Sequence, residues 1–128
     1  MLGDAALKRI ERKAKNDDIK KIISFLNVHL GAKLTAYLSG KSDALVVDRW
    51  MRVTDIPNPV ETLRLRYAFE AVAMVVEEYD AETAISMFLG MNRVLNDEAP
   101  ASWLRDHEKE EDLREVVLAA KSLGEMGA

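Results

Sequence analysis

The feature that most constrains the fold is a long apolar helix predicted over residues 59–79. Asn58 is the predicted N-cap, Pro59 the first helical residue and Glu61 the third, an arrangement typical of a capping box. The apolar residues that follow form two adjoining stripes instead of one: Val60, Leu63, Tyr67, Ala71, Met74 and Val75, and Leu65, Phe69, Val72 and Val76. A helix that is apolar over so wide an arc packs on more than one side. We therefore expect a central helix that bridges the front and back halves of the chain.

Shorter helices are predicted in front of it. Apolar residues at helical spacing indicate helices over residues 5–15, 19–30, 32–38 and 44–51. Asp17 and Asp18 give the second helix an acidic start, and Gly31 is expected to end it. The first helix is cationic and its apolar stripe is thin, so we expect it to dock on a partner or to fray.

The helix over 19–30, followed by two short helices and a glycine-containing turn, is the pattern of a helix-turn-helix. The candidate DNA-contacting residues flank the helix over 44–51 and are Lys41, Ser42, Arg49 and Arg52. Two features argue against sequence-specific DNA binding by this helix. Asp43 and Asp48 are acidic, and residues 44–46 are apolar where side chains that contact the bases are expected. Two interpretations stay open: a DNA reader, and a helix-turn-helix kept as a packing or dimerisation scaffold.

Behind the central helix, Asp80 is a predicted cap for a helix over 81–89, with Ala84, Ile85, Phe88 and Leu89 on its inner face. Residues 88–104, FLGMNRVLNDEAPASWL, then break into short pieces before Pro100 restarts a helix. A last helix carries Leu113, Val116, Val117, Ala120 and Leu123, and Gly124 is expected to stop it.

The pattern contains no strong strand candidate, and it predicts an all-α fold. Three segments follow: a basic N-terminal helix or arm over 1–18, a helix-turn-helix over 19–57, and the central helix with a small C-terminal helical region over 58–128.

Composition excludes several functions. The chain has no cysteine, which rules out disulfides and thiolate metal sites, and it has no apolar run long enough to span a membrane. The N-terminus is charged and lacks a signal-peptide core, so we expect a cytoplasmic protein. The two histidines are far apart in sequence, and no spacing singles out a pair among the 22 acidic residues. We therefore expect no enzyme, no metal and no cofactor.

The charge is divided unevenly along the chain. Residues 1–60 hold 11 Lys and Arg against 7 Asp and Glu, whereas residues 61–128 hold 7 against 15. The basic half favours nucleic acid as a partner, and the acidic half favours a basic protein surface. The alternative is a solvated surface with an uneven charge.

The C-terminal part resembles the toxin-binding region of the Xre/MbcA/ParS antitoxin family. That region has an aromatic-bearing helix, an Asn-containing turn, a leucine, a proline, then a leucine and an acidic residue before a final apolar helix. Here these features are similar to Phe88, Asn92-Arg93, Leu95, Pro100, Leu104 and Asp106, within residues 81–125. The front half resembles the family's Xre-like helix-turn-helix more loosely, in LTAYLSG at 34–40 and VVDRW at 46–50. The interval between these two segments is longer than in the family, and Val53 stands where a glycine is common.

The resemblance implies an antitoxin of a type II toxin-antitoxin pair, which neutralises a RES-domain toxin that consumes NAD. It implies that the toxin is bound by Asn92, Arg93, Leu95, Pro100, Leu104 and Asp106. It further implies a homodimer or higher oligomer that represses its own operon by binding operator DNA. The alternative function is a helix-turn-helix transcriptional regulator without a toxin partner.

The residues themselves allow a second interpretation of the C-terminal motif. Leu95, Trp103 and Leu104 are also the side chains that would pack the core beneath the last helix. For Trp103 we favour this packing role, because a large aromatic residue at helical spacing is usually buried. For Arg93 we favour contact with a partner, because arginine is enriched at interface hot spots.

Overall fold

The chain is helical throughout the part described by a computed structural model, residues 2–52 and 54–125. The α-helices are α1 (Asp4–Asn16), α2 (Ile19–Leu30), α3 (Ala32–Ser39), α4 (Leu45–Met51), α5 (Pro59–Glu78), α6 (Ala81–Leu89), α7 (Pro100–Asp106), α8 (Glu110–Leu113) and α9 (Glu115–Glu125), and a short 3₁₀ helix spans Arg93–Leu95. No β-strand occurs in these two ranges, and the predicted all-α class is confirmed. Val53, at which the sequence departs from the antitoxin family, lies outside the described residues.

Helix α5 is the central element, as predicted. Its capping box is complete: the Asn58 side chain accepts a hydrogen bond from the Glu61 amide at 2.8 Å, and the Glu61 carboxylate accepts one from the Asn58 amide at 2.9 Å. Every residue from Tyr67 to Val75 is buried. The helix contacts α1, α2 and α3 from the front half and α6, α8 and α9 from the back half. One hydrophobic cluster therefore contains residues from both halves of the chain.

Helix α1 belongs to this core, and the expectation that it docks on a partner or frays is wrong. Its apolar stripe is thin, but Ile10 and Ala14 of that stripe are both buried in the core. The Arg66 guanidinium of α5 donates to the carbonyls of Ala14 and Asp17, each at 2.9 Å, at the C-terminal end of α1. An Arg9–Glu77 ion pair at 2.6 Å adds a second link between the two helices.

Helices α2, α3 and α4 contact one another pairwise. The Asp18 side chain accepts from the Lys20 amide at 2.9 Å, and α2 begins and ends where the sequence predicted. The Asp43 side chain likewise accepts from the Leu45 amide at 2.9 Å, at the start of α4. The Lys20 ammonium group donates to the carbonyl of Trp50 at 3.0 Å, which ties the start of α2 to the end of α4.

Two predictions about the back half are wrong. The first is that Gly124 stops the last helix, since α9 continues through it to Glu125. A glycine inside a helix costs only about 1 kcal/mol relative to alanine, so neighbouring residues can carry the helix across it. The second concerns Leu89, which was expected on the inner face of α6 but is 62% exposed. The other predicted inner residues of α6 are buried or half-buried.

Arg64 links three helices. It is buried on α5, and its guanidinium donates to the carbonyl of Ser39 at the end of α3 and to that of His107 after α7, both at 3.0 Å. Gly40 lies directly against it. A Cβ atom at Gly40 would be 2.7 Å from Arg64 Nη1, and the φ angle of Gly40 is 109°. The φ angle of the turn after α3 therefore favours glycine, and a larger residue would also have to displace the Arg64 guanidinium.

A series of glycine-to-alanine variants tests this contact. We expect Gly40→Ala and Gly31→Ala each to reduce the free energy of unfolding, with a backbone cost of about 1–3 kcal/mol, because both glycines have positive φ angles. Gly31 has no atom near the added Cβ, so it shows the backbone cost alone, and its φ of 87° with a ψ of 159° is a conformation nearly confined to glycine. Gly3→Ala, with a φ of −77° and open space, should be nearly neutral. Urea unfolding measures all three variants. Because the two backbone conformations differ, Gly40→Ala is also made in an Arg64→Met background, and an equal loss with and without Arg64 would show that Arg64 moves aside without cost.

Candidate protein-binding site

Asn92 organises the segment between α6 and α7, and we call residues 92–98 the Asn92 loop. Its side-chain oxygen accepts from the Val94 amide at 2.9 Å. Its carbonyl accepts from the amides of Leu95, at 3.0 Å, and Asp97, at 2.9 Å, and its own amide donates to the Glu98 carbonyl at 3.2 Å. One residue therefore closes the loop at both ends.

The loop is also anchored from beneath. Leu95 is fully buried, and the 3₁₀ helix that carries it contacts α9. Asn96 and Asp97 have φ angles of 56° and 68°, in the left-handed region that these two residue types tolerate better than most. The local hydrogen bonds and the buried leucine together hold the loop in one conformation.

Apolar side chains and a cation are exposed on and beside this loop. Met91 is 84% exposed and Val94 is 40% exposed, and Arg93 is exposed between them. Arg93 has no hydrogen-bond or ion-pair partner within the described ranges. Methionine and arginine are enriched at protein interfaces relative to the rest of the surface, so this loop is a candidate contact site for a protein partner.

The six predicted toxin-binding residues separate into two groups. Arg93 and Asp106 are exposed, and Asn92 is half-buried. Leu95, Pro100 and Leu104 are buried, so in this structure they support the surface and do not reach a partner. For Leu95 and Leu104 the structure thus agrees with the alternative interpretation, packing beneath the last helix.

Trp103 also supports the region from within. It is half-buried, and its indole Nε1 donates to the Asp112 carbonyl at 2.7 Å. Its ring stacks on that of His107 with 4.0 Å between the centroids. These contacts hold α7 against the start of α8, as expected for a packing residue.

Sequence reasoning missed Met91 and placed Leu89 in the core. The exposure of Met91 was indicated in the sequence by Gly90, which ends α6. Met91 follows Gly90 and therefore does not belong to the apolar face of that helix. Periodicity counts apolar residues at helical spacing, but it does not show whether another element covers them.

The candidate DNA-contacting residues are largely paired with carboxylates. Lys41 lies 3.0 Å from Glu61, Arg49 lies 3.4 Å from Asp55, and Arg52 lies 3.0 Å from Asp48. Ser42 is exposed and uncharged. Because each cation has an anion beside it, the surface around α4 carries little of the positive potential that phosphate binding needs.

A cluster of ionisable groups lies between α5, α1 and α9. Burial raises the pKa of Glu70, and nearby Glu11 raises it further, whereas Lys121, Lys15 and Arg114 lower it. Beside it, burial and a 2.7 Å hydrogen bond to Glu110 raise the pKa of Tyr67. Within the described part of the chain, no three His, Cys, Asp or Glu side chains converge as a metal site requires. The raised pKa of Glu70 makes the stability of the fold depend on pH through this cluster.

Comparison with other proteins gives no further guide to the site. No family model, no curated protein and no solved structure matches the chain. None of the described helices has the length and apolar character needed to cross a membrane. The interpretation of the site therefore depends on its geometry and on the residues that form it.

The Glu70→Gln variant tests the buried carboxylate. Because the folded-state pKa of Glu70 is raised above its unfolded value, its stabilising contribution is complete below about pH 4 and is lost as the pH rises through the folded pKa. We therefore expect Glu70→Gln to be more stable than the wild type at pH 7, with the difference shrinking toward pH 4. Urea unfolding at both pH values measures it, with exposed Glu111→Gln as the control. The same difference at both pH values would contradict the assignment.

Proposed function

We propose that this protein is an antitoxin that neutralises a RES-domain, NAD-consuming toxin by binding it through the Asn92 loop. The observation that carries the proposal is an exposed Arg93 between Met91 and Val94 on a fixed loop, with no partner for Arg93 in the part of the chain that the structure describes. The class of partner comes from the resemblance of residues 81–125 to the toxin-binding region of the Xre/MbcA/ParS antitoxins.

The geometry of the loop suits tight binding. A loop already held by Asn92 loses little conformational entropy when a partner binds, so more of the contact energy is retained. Arg93 supplies several hydrogen-bond donors in a planar group, and Met91 supplies an adaptable apolar contact. Leu95, Pro100 and Leu104 contribute by keeping the loop and α7 in position.

Charge reversal at Arg93 tests the proposed interface. We expect Arg93→Glu to weaken binding of a co-purifying RES-domain toxin about tenfold or more, as is common at interface hot spots. The fold should be unaffected, because Arg93 is exposed and unpaired within the described ranges. Isothermal titration calorimetry measures the affinity, and circular dichroism checks the fold.

Arg12→Glu is the matched control, since Arg12 is exposed on α1. If the Arg93→Glu protein is folded and its affinity for the toxin is unchanged, the interface lies elsewhere on the chain. The absence of any RES-domain protein after a pull-down from native lysate and mass spectrometry would overturn the toxin partner itself.

DNA binding through α3 and α4 is the second candidate. It is favoured by the pairwise contacts among α2, α3 and α4 and by the turn at Gly40, which together suit a helix-turn-helix. We rank it second because Lys41, Arg49 and Arg52 are each paired with a carboxylate. An oligomeric antitoxin that binds its toxin and also represses its own operon would combine the two candidate functions, toxin binding and DNA binding.

Mobility shifts across salt concentrations test this second candidate. If α4 contacts DNA, the affinity for the gene's own upstream sequence should fall steeply with salt, and Arg49→Gln should reduce the slope by about 1. Exposed Lys121→Gln, in the acidic half, serves as the control. No shift at low salt would exclude operator binding by this chain.

A further inference from the structure

A groove of about 720 Å³ lies between α3 and α6, and α7 closes one side of it. Its walls are apolar. Leu34 and Tyr37 line it from α3, and Ile85 and Leu89 line it from α6. In each pair the residues are three or four positions apart, so they share one face of their helix.

The lower part of the groove is formed by buried or small side chains. Phe88 and Ala101 are buried where they line it, and Ala99 and Ser102 also contribute. The wall from the eight residues of α3 is about 12 Å long, and that from the nine residues of α6 is about 13.5 Å long, at 1.5 Å per residue.

The groove is electropositive, although the whole chain has a net charge of −4. Lys33, Lys41 and Arg105 line it, and none of the described lining residues is acidic. Lys41 is paired with Glu61, but Arg105 donates to the neutral carbonyls of Tyr37, at 2.7 Å, and Lys41, at 3.0 Å. No carboxylate among the lining residues therefore offsets the positive charge of Arg105. Lys33 is exposed on the α3 side.

The groove is preformed. The Tyr37 hydroxyl is 3.2 Å from the Ser102 hydroxyl, and the Arg105 guanidinium lies 4.6 Å from the centre of the Tyr37 ring. These contacts fix α7, which closes one side of the groove, against α3. Tyr37 and Leu89, which are 39% and 62% exposed, remain accessible to a partner.

We propose that this groove binds an acidic amphipathic helix of a partner protein. Apolar residues at helical spacing on the partner would enter between α3 and α6, which is the helix-in-groove mode of recognition. Acidic residues beside them would meet Lys33 and Arg105. The walls are two to three helical turns long, which suits a short helix.

Other occupants fit less well. A nucleic acid would need a row of cations for its phosphates, whereas most of the side chains lining the groove are apolar. A second copy of this chain has acidic residues over 108–112, but the apolar residues of α8 and α9 that follow them, Leu113 and Val116, are buried in their own core. A partner helix with an uncovered apolar face is the occupant that both the shape and the charge favour.

This inference goes beyond the proposed toxin-binding function. Met91 and Arg93 do not line the groove, and neither do the other residues of the Asn92 loop. Arg93→Glu should therefore leave binding in the groove unchanged. Loss of groove binding on that substitution would show that the two surfaces are one, which would overturn the inference of a separate site.

The experiment uses a fluorescent synthetic peptide and the full chain. The peptide has about 18 residues, because shorter isolated helices are marginal in water, with leucine at helical spacing and glutamate elsewhere. A second peptide has lysine in place of every glutamate. Fluorescence anisotropy should show the acidic peptide binding about tenfold or more tightly than the basic one, because unlike charges favour association and like charges oppose it.

Matched variants locate the binding. We expect Leu89→Glu and Lys33→Glu each to weaken binding of the acidic peptide about tenfold, as is common for residues at the centre of an interface. Val28→Glu is the control for the first, since Val28 is 74% exposed and does not line the groove. Lys13→Glu, on α1, is the control for the second. All four positions are at least partly accessible, and circular dichroism checks that each variant folds.

Several results would overturn the proposal. No binding of the acidic peptide, equal binding of both peptides, or equal losses at Leu89 and Val28 would each do so. Sedimentation velocity that shows a dimer dissociated by Leu89→Glu would make the groove an interface between copies of this chain. If dodecanoate competes with the peptide and binds at least as tightly on its own, the groove is a site for small amphiphilic anions.

Discussion

The rest of the structure depends on the burial of α5. Every residue of this helix from Tyr67 to Val75 is buried, so the helix needs neighbours around most of its circumference. Helices from both ends of the chain supply them, and this draws α1 and α9 onto the same element. The front and back halves therefore share one core and are stabilised together, although the charge pattern divides them.

Basic side chains then join the ends of the surrounding helices. The last carbonyls of a helix have no partner within it and carry partial negative charge, so they favour cations. Arg66 donates at the end of α1, Arg64 and Arg105 at the end of α3, and Lys20 at the end of α4. In the basic half of the sequence, Lys20 donates to backbone carbonyls, and Lys41, Arg49 and Arg52 are paired with carboxylates. The positive charge near α4 is therefore partly offset within the chain, so the sequence indicated nucleic acid more strongly than the structure does.

The same packing produces the two candidate binding surfaces. Leu95 and Asn92 fix a loop on which Arg93 is exposed and has no partner among the described residues, and the contacts of Tyr37 with α7 fix one side of the groove between α3 and α6. One surface is small, with a single cation, whereas the other is long, apolar and electropositive. A protein with both would bind its partners by protein–protein contact, which suits the proposed antitoxin role.

Local features of the sequence determined the helices. The Asn58 capping box, the Asp18 and Asp80 caps and the stop at Gly40 act within a few residues, so the pattern located α2, α5 and α6 with their correct starts. It also identified the Asn92 segment as irregular. Only the tertiary structure decided that α1 is part of the core, that Leu104 is buried while Leu89 is exposed, and that the α4 cations are paired. The physical reason is that burial and ion pairing depend on residues distant in sequence, whereas capping and helical periodicity depend on neighbours along the chain.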